Sequence, residues 1–253
     1  MKKRKINKAQ ITVFIIISIF IIILFLFFLF YKSNIIKSNK QTISPEIKDI
    51  YDYISNCVHE TGKTAVYFIG QTGGYFNSPD FSTDYGIAYY YSDGKSYIPS
   101  KEKIESELSS YMNFMLQFCI RNFKDFPDYV INSENITTKT KIENEKVIFN
   151  VDYPLIIKKD KKTYRLREFN EIVNVRLDKI YDLASRINKE QLINGEDICL
   201  SCMYDWAEEL DLYIEMNDYG NKTGIIIFTI RDEKSQLFNS DYRFYFANKY
   251  KIY

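Results

Sequence analysis

The chain has 253 residues, with 34 Lys and Arg against 33 Asp and Glu, one histidine and four cysteines. Near-neutrality gives no electrostatic footprint for nucleic acid, and a lone histidine excludes zinc hydrolases built on histidine pairs. An aromatic content of 17% excludes a disordered body.

The first ten residues are a basic tail carrying Lys2, Lys3, Arg4, Lys5 and Lys8. Ile11 to Tyr31 is apolar apart from Thr12 and Ser18. At about 1.5 Å per residue this run reaches roughly 30 Å, the thickness of a bilayer's hydrocarbon core, so a transmembrane helix is expected over 11–31. The run exceeds the apolar stretch of a cleavable secretory signal, and Phe30 to Asn34 offers no small-residue cleavage site. An uncleaved signal anchor in the cell membrane is therefore expected. The five cations before the run outnumber Lys32, Lys37 and Lys40 behind it, which places the N-terminus in the cytoplasm and the C-terminal body outside. Without the tail's five cations the body holds 29 basic against 33 acidic residues, a net charge near −4.

Lys8-Ala9-Gln10-Ile11-Thr12-Val13-Phe14, followed by Ile15-Ile16-Ile17, resembles the short basic leader of archaeal type IV pilin-like proteins. The likeness covers residues 2–31. It implies cleavage between Ala9 and Gln10, and an apolar helix that anchors the subunit or packs in a filament core. Phe14 stands where that family usually carries Glu. The composition, heavy in Ile, Lys, Asn and Tyr, is also similar to that of membrane-anchored proteins of small-genome archaea.

Residues 32–44 read as a polar juxtamembrane spacer. Ser44-Pro45 opens a helix, with Ser as cap and Pro at the first helical position. Ile47, Ile50, Tyr51, Ile54, Cys57, Val58, Thr61, Ala65, Phe68 and Ile69 then recur at helical spacing until Gly70. Ser92-Asp93-Gly94-Lys95 predicts a hairpin between 86–91 and 96–98, because Asp-Gly suits positive φ at both turn positions. Pro99-Ser100 opens a second helix with Ile104, Leu108, Tyr111, Met112, Met115, Cys119 and Phe123 on one face. From Asn135 the period changes to two. Val147, Phe149, Val151 and Tyr153 alternate with polar partners until Pro154, where an interruption is expected. Lys158 to Lys162 reads as a turn, and Tyr164–Leu166 with Val173–Leu177 as the return. A helix bearing Ile180, Leu183, Ala184 and Ile187 follows, then a short helix near Trp206. Three strands close the chain, over 210–214, 224–230 and 242–247, the second of them central. Helices first and strands later predict an α+β fold with a mostly antiparallel sheet over 45–253. A subdivision near residue 130 would separate a helical and hairpin part, 45–130, from a sheet-rich part, 131–253.

Cys57 and Cys119 sit on apolar helix faces and are candidates for a bridge between packed helices. Cys199-Leu200-Ser201-Cys202 has three readings: a redox pair before a helix, half of a zinc site shared with Cys57 and Cys119, or a structural disulfide. Four cysteines allow three connectivities. Asn135-Ile136-Thr137 and Asn221-Lys222-Thr223 are glycosylation sequons, at home in an outside body. Tyr89, Tyr90, Tyr91 and Tyr97 belong to an aromatic cluster over 75–97 that either packs a hairpin or stacks on sugars. Gly62-Lys63-Thr64 lacks the earlier glycine of a phosphate loop, Cys57 standing there. His59-Glu60 lacks the second histidine of a zinc protease. Asp205, Glu208, Glu209 and Asp211 read as surface carboxylates. The expected protein is a single-pass anchored surface protein, not an enzyme, without cofactor or resident metal. Its expected contacts are membrane lipid and envelope or pilin-like proteins. A thiol–disulfide enzyme using Cys199 and Cys202, or a glycan-binding module, is the alternative.

Overall fold

The computed structural model describes residues 18–23, 43–195, 197–220 and 223–251. Residues 18–23 are helical, and no described helix is long and apolar enough to cross a membrane. Most of the expected span, 11–31, lies outside the described residues.

Ser44–Tyr253 forms one compact unit. A 3-10 turn over Pro45–Ile47 leads into helix α1, Lys48–Gln71. The expected Ser44 cap is absent as a side-chain bond to the helix. Strands β1, Tyr89–Ser92, and β2, Lys95–Ser96, form the predicted hairpin, with φ of 50° at Asp93 and 74° at Gly94. Helix α2, Lys101–Ile120, is capped by Ser100, whose hydroxyl accepts the Lys103 N–H at 3.2 Å. Then come β3, Val130–Ser133, β4, Thr137–Glu143, β5, Lys146–Lys159, and β6, Lys162–Val173. Helices α3, Leu177–Asn194, and α4, Leu200–Leu210, precede β7, Tyr213–Asp218, β8, Ile225–Leu237, and β9, Ser240–Lys249.

One sheet has the order β2-β1-β9-β8-β7, and only its β1–β9 pairing is parallel. In the other, β5 is central, with β6 on one side and β3 followed by β4 on the other, all antiparallel. The fold is thus α+β with mostly antiparallel pairing, as expected, but the strands divide between two sheets where one was expected. The pairing of β1 with β9 joins residue 89 to residue 247, so strands from either side of residue 130 share one sheet.

Pro154 does not interrupt β5. Val147, Phe149, Val151, Tyr153, Leu155 and Ile157 are all buried, an unbroken alternation through a fourteen-residue strand. Pro154 sits at a register shift between Asp152 and Leu155, opposite the gap between β3 and β4. Its missing N–H goes unused there, and its carbonyl accepts the Glu134 N–H at 3.0 Å. The return strand is likewise continuous to Val173.

Helix α2 covers the outer edge of β4. Glu105, Ser109 and Asn113, four residues apart, accept the N–H groups of Ile142, Thr140 and Thr138 at 2.9, 3.1 and 2.8 Å. Helical and strand periods match here, so three side chains on one helix face satisfy an otherwise open strand edge. The buried face of α2 also includes Leu116 and Ile120, while Met115 and Cys119 are only half-buried. Helix α1 lies against α2, β6 and β9. Gly70 makes its approach to β9 possible: a Cβ there would stand 2.6 Å from the Arg243 carbonyl oxygen and 2.8 Å from the Tyr242 hydroxyl. That hydroxyl donates to the Val66 carbonyl at 3.0 Å, and its burial raises the phenol's pKa.

An ion pair closes the junction of α3, α4 and β8. Asp232 is fully buried and Arg176 is 8% exposed. The Arg176 Nε donates to Asp232 at 3.0 Å, and its terminal nitrogens donate to the carbonyls of Leu210 and Asp211 at 3.2 and 2.8 Å. The Asp232 carboxylate also accepts from the Ser235 hydroxyl and, at 3.1 Å, from the Lys234 N–H. Its hydrogen bond holds the Arg176 pKa above the usual guanidinium value.

Candidate functional site

All four cysteines are bridged. Cys57 on α1 pairs with Cys119 on α2, their Cα atoms 5.7 Å apart, as expected of two packed helices. Cys199 pairs with Cys202 across three residues of sequence, their Cα atoms 5.4 Å apart. A four-thiolate zinc site is thereby corrected: each pair of sulfurs is consumed in its own bond.

The local geometry of the second bridge starts with Gln191 at the end of α3. Its buried amide donates to the carbonyls of Gly195 and, at 3.1 Å, Asp197, while its carbonyl accepts the Tyr250 hydroxyl at 2.7 Å. These bonds fix the turn that delivers Cys199 to the start of α4. Cys199 is the N-cap residue, and its Sγ accepts the Cys202 N–H at 3.3 Å. The helix of the redox reading is therefore present; a thioredoxin-like pair also follows a strand, and here Ile198 before it lies in a loop. A carboxylate oxygen of Glu190 and both sulfurs lie within 4.8 Å of one another, all three residues half-buried. Sequence reasoning missed Glu190, which is nine residues from Cys199 and reaches it only because the chain reverses after α3.

The tyrosine expectation divides. Tyr89, Tyr90 and Tyr91 are buried, which corrects them as a binding surface: they are core residues of the sheet. Tyr90 stacks on Phe246 at 4.6 Å between ring centres and donates its hydroxyl to the Gly73 carbonyl at 3.1 Å. Burial pushes its phenol pKa well up. Tyr97 is exposed, beside Phe81 at 4.8 Å, and Tyr85 is the most exposed of the group.

A groove of about 520 Å³, which no sequence motif marked, runs between α1 and the β8–β9 turn. Tyr67, Gln71, Phe238, Asp241, Arg243 and Tyr245 line it. Its one sequence signal is Phe238-Asn239, a turn with φ of 53° and 61° in which a large aromatic stands exposed.

His59 is half-exposed on α1, its Nδ1 3.0 Å from a Glu171 oxygen. Gly62 is buried in mid-helix against Phe149 and Glu171, so Gly62-Lys63-Thr64 forms no phosphate loop. Arg186 holds Glu209 at 2.7 Å, and Lys234 holds Asp211. Both carboxyls are depressed by those hydrogen bonds. Asn135 is exposed between β3 and β4, open to modification. Asn221, Ala9 and Gln10 lie outside the described residues. Compared with protein-family models, curated proteins and solved structures, the chain matches none.

Proposed function

We propose that this is a single-pass membrane protein that presents an α+β body at the cell surface, as a pilin-like or envelope interaction subunit. Residues 11–31 lie in lipid, the basic tail faces the cytoplasm and the body faces outside. Presentation and contact are its role in this reading, and nucleic acid is not among its partners. The observation that carries the reading is the closure of all four cysteines into two bridges. Stable disulfides belong to oxidising compartments, and the apolar run supplies the means of staying there. The exposed sequon at Asn135 agrees with the same side of the membrane.

Alkaline carbonate extraction of native membranes, with thiol counting before and after reduction, tests the reading. The expected result is retention in the pellet, no thiol before reduction and four afterwards. Mass spectrometry of the mature N-terminus separates the two forms of anchor: a start at Gln10 supports the pilin-like leader, and an intact Met1 or Lys2 removes it. Release into the supernatant with free thiols would overturn the whole reading.

A further inference from the structure

The two bridges differ in what they can do. Cys57–Cys119 closes 62 residues and joins two helices of the core. Cys199–Cys202 closes three, so it restricts the unfolded chain far less. Its two sulfurs stand at the first turn of an eleven-residue helix, and the Cys202 N–H already points at the Cys199 sulfur. Negative charge on that sulfur is favoured by the same bond and by the helix end. A carboxylate, Glu190, stands beside both sulfurs. In the same two helices, Leu192 and Ile193, which follow Glu190, and Leu200 and Tyr204, which neighbour the cysteines in sequence, are exposed, Ile193 to 78%. Four large apolar side chains left in water within a few residues of Glu190 and the two cysteines offer apolar contact to another chain.

We propose that Cys199–Cys202 is an exchangeable disulfide that oxidises two thiols of a partner polypeptide whose cysteines are flanked by apolar side chains. A partner thiolate attacks the Cys199 Sγ. The Cys199–Cys202 bond breaks, a mixed disulfide forms on Cys199, and the electron pair leaves on Cys202, which takes a proton relayed by Glu190. The partner's second thiolate then attacks its own bridged sulfur. Cys199 departs as a thiolate held by the Cys202 N–H. The partner's two thiols become one disulfide with loss of two electrons, and Cys199 and Cys202 become a reduced pair. Cys57–Cys119 takes no part. The exchange adds to the anchoring role and does not depend on it, so purified protein tests it whichever way the body faces.

The probe is a reduced synthetic peptide with two cysteines flanked by leucines, offered to the full-length oxidised protein in detergent. A companion peptide carries serine for each leucine. Samples are acid-quenched, alkylated and mapped by mass. The expected result is label on Cys199 and Cys202 while Cys57 and Cys119 stay protected, with the leucine peptide faster than the serine one. Glu190→Gln is expected to slow exchange about tenfold or more with an unchanged circular dichroism spectrum. Cys202→Ser, offered the oxidised peptide, should accumulate a mixed disulfide at Cys199. Survival of Cys199–Cys202 after Cys57–Cys119 has been reduced overturns the proposal. Equal rates for both peptides overturn the polypeptide partner, and an unchanged rate in Glu190→Gln overturns the relay.

Discussion

Replacing Asp232 by Ala should be the most damaging single change outside the apolar core. The carboxylate is fully buried, and four donors converge on it: two from Arg176, one from Ser235 and one from Lys234. Its loss leaves the Arg176 guanidinium, itself mostly buried, with only the carbonyls of Leu210 and Asp211 as hydrogen-bond partners. Breaking one side of such a pair costs about 3–5 kcal/mol, chiefly through the uncompensated charge. With a denaturant slope near ~2 kcal/mol/M, the urea midpoint should fall by about 2 M. The assay is urea unfolding of the full chain in detergent, followed by circular dichroism. Arg176→Met combined with Asp232→Leu removes both charges and should recover part of the loss. Recovery stays incomplete, because the Leu210 and Asp211 carbonyls lose a donor and the Ser235 O–H and Lys234 N–H lose their acceptor. A midpoint shift in Asp232→Ala worth less than about 1 kcal/mol would show that the junction is not held by charge, and would refute the reasoning.

Gly70→Ala should cost about 1–3 kcal/mol, because the new methyl meets the Arg243 backbone, whereas Gly62→Ala meets the Glu171 side chain and the buried Phe149 ring at 3.3–3.4 Å, a close contact partly offset by helix propensity, so it should cost less than Gly70→Ala by the same urea assay. Replacing both Cys57 and Cys119 by Ala should remove about 4 kcal/mol in the chain-entropy description, against about 1.6 for Cys199 and Cys202, a difference that melting curves resolve. Glu105→Ala strands the Ile142 N–H beneath α2 and should cost about 1–3 kcal/mol, with faster amide exchange at Ile142 than at Thr140. Glu46, bonded by Lys162, has its pKa lowered from 4.5 to about 2, so its tie to β6 is present above pH 4.5 and lost as pH falls towards 2. Carbon-13 titration should show that inflection, and Lys162→Met should move it back up towards 4.5.

Elements whose signal is local were legible in the sequence. The Asp93-Gly94 turn, the helix start after Pro99-Ser100 and the alternation of Val147 to Tyr153 each concern residues within a few positions of one another, and all three hold, whereas the Ser44 side-chain cap does not form. Pro154 misleads for a definable reason. A proline costs a strand one donor, and whether that matters depends on what lies opposite. Here the gap between β3 and β4 lies opposite, so nothing is lost. Likewise, burial of Tyr89 to Tyr91 follows from the parallel partner β9, which lies more than 150 residues away and leaves no mark near residue 90.

The same distinction governs the candidate sites. Cysteines announce themselves by type, so both bridges could be considered from spacing alone. Glu105 and Asp232 could not, because a carboxylate in sequence looks solvated until its donors are known, and the deciding ones, the Ile142 N–H and the Arg176 guanidinium, come from 37 and 56 positions away. Glu190 belongs to the same class: ordinary on a helix surface, it gains a chemical meaning only when the α3–α4 turn sets it beside two sulfurs. That turn rests on the Gln191 side chain, which is buried and tied to Gly195, Asp197 and Tyr250. Gln191→Leu, which removes the ties but keeps the bulk, should therefore alter exchange at Cys199–Cys202 while leaving Cys57–Cys119 untouched. A parallel change in both bridges would mean that the substitution disturbs the whole body rather than the turn.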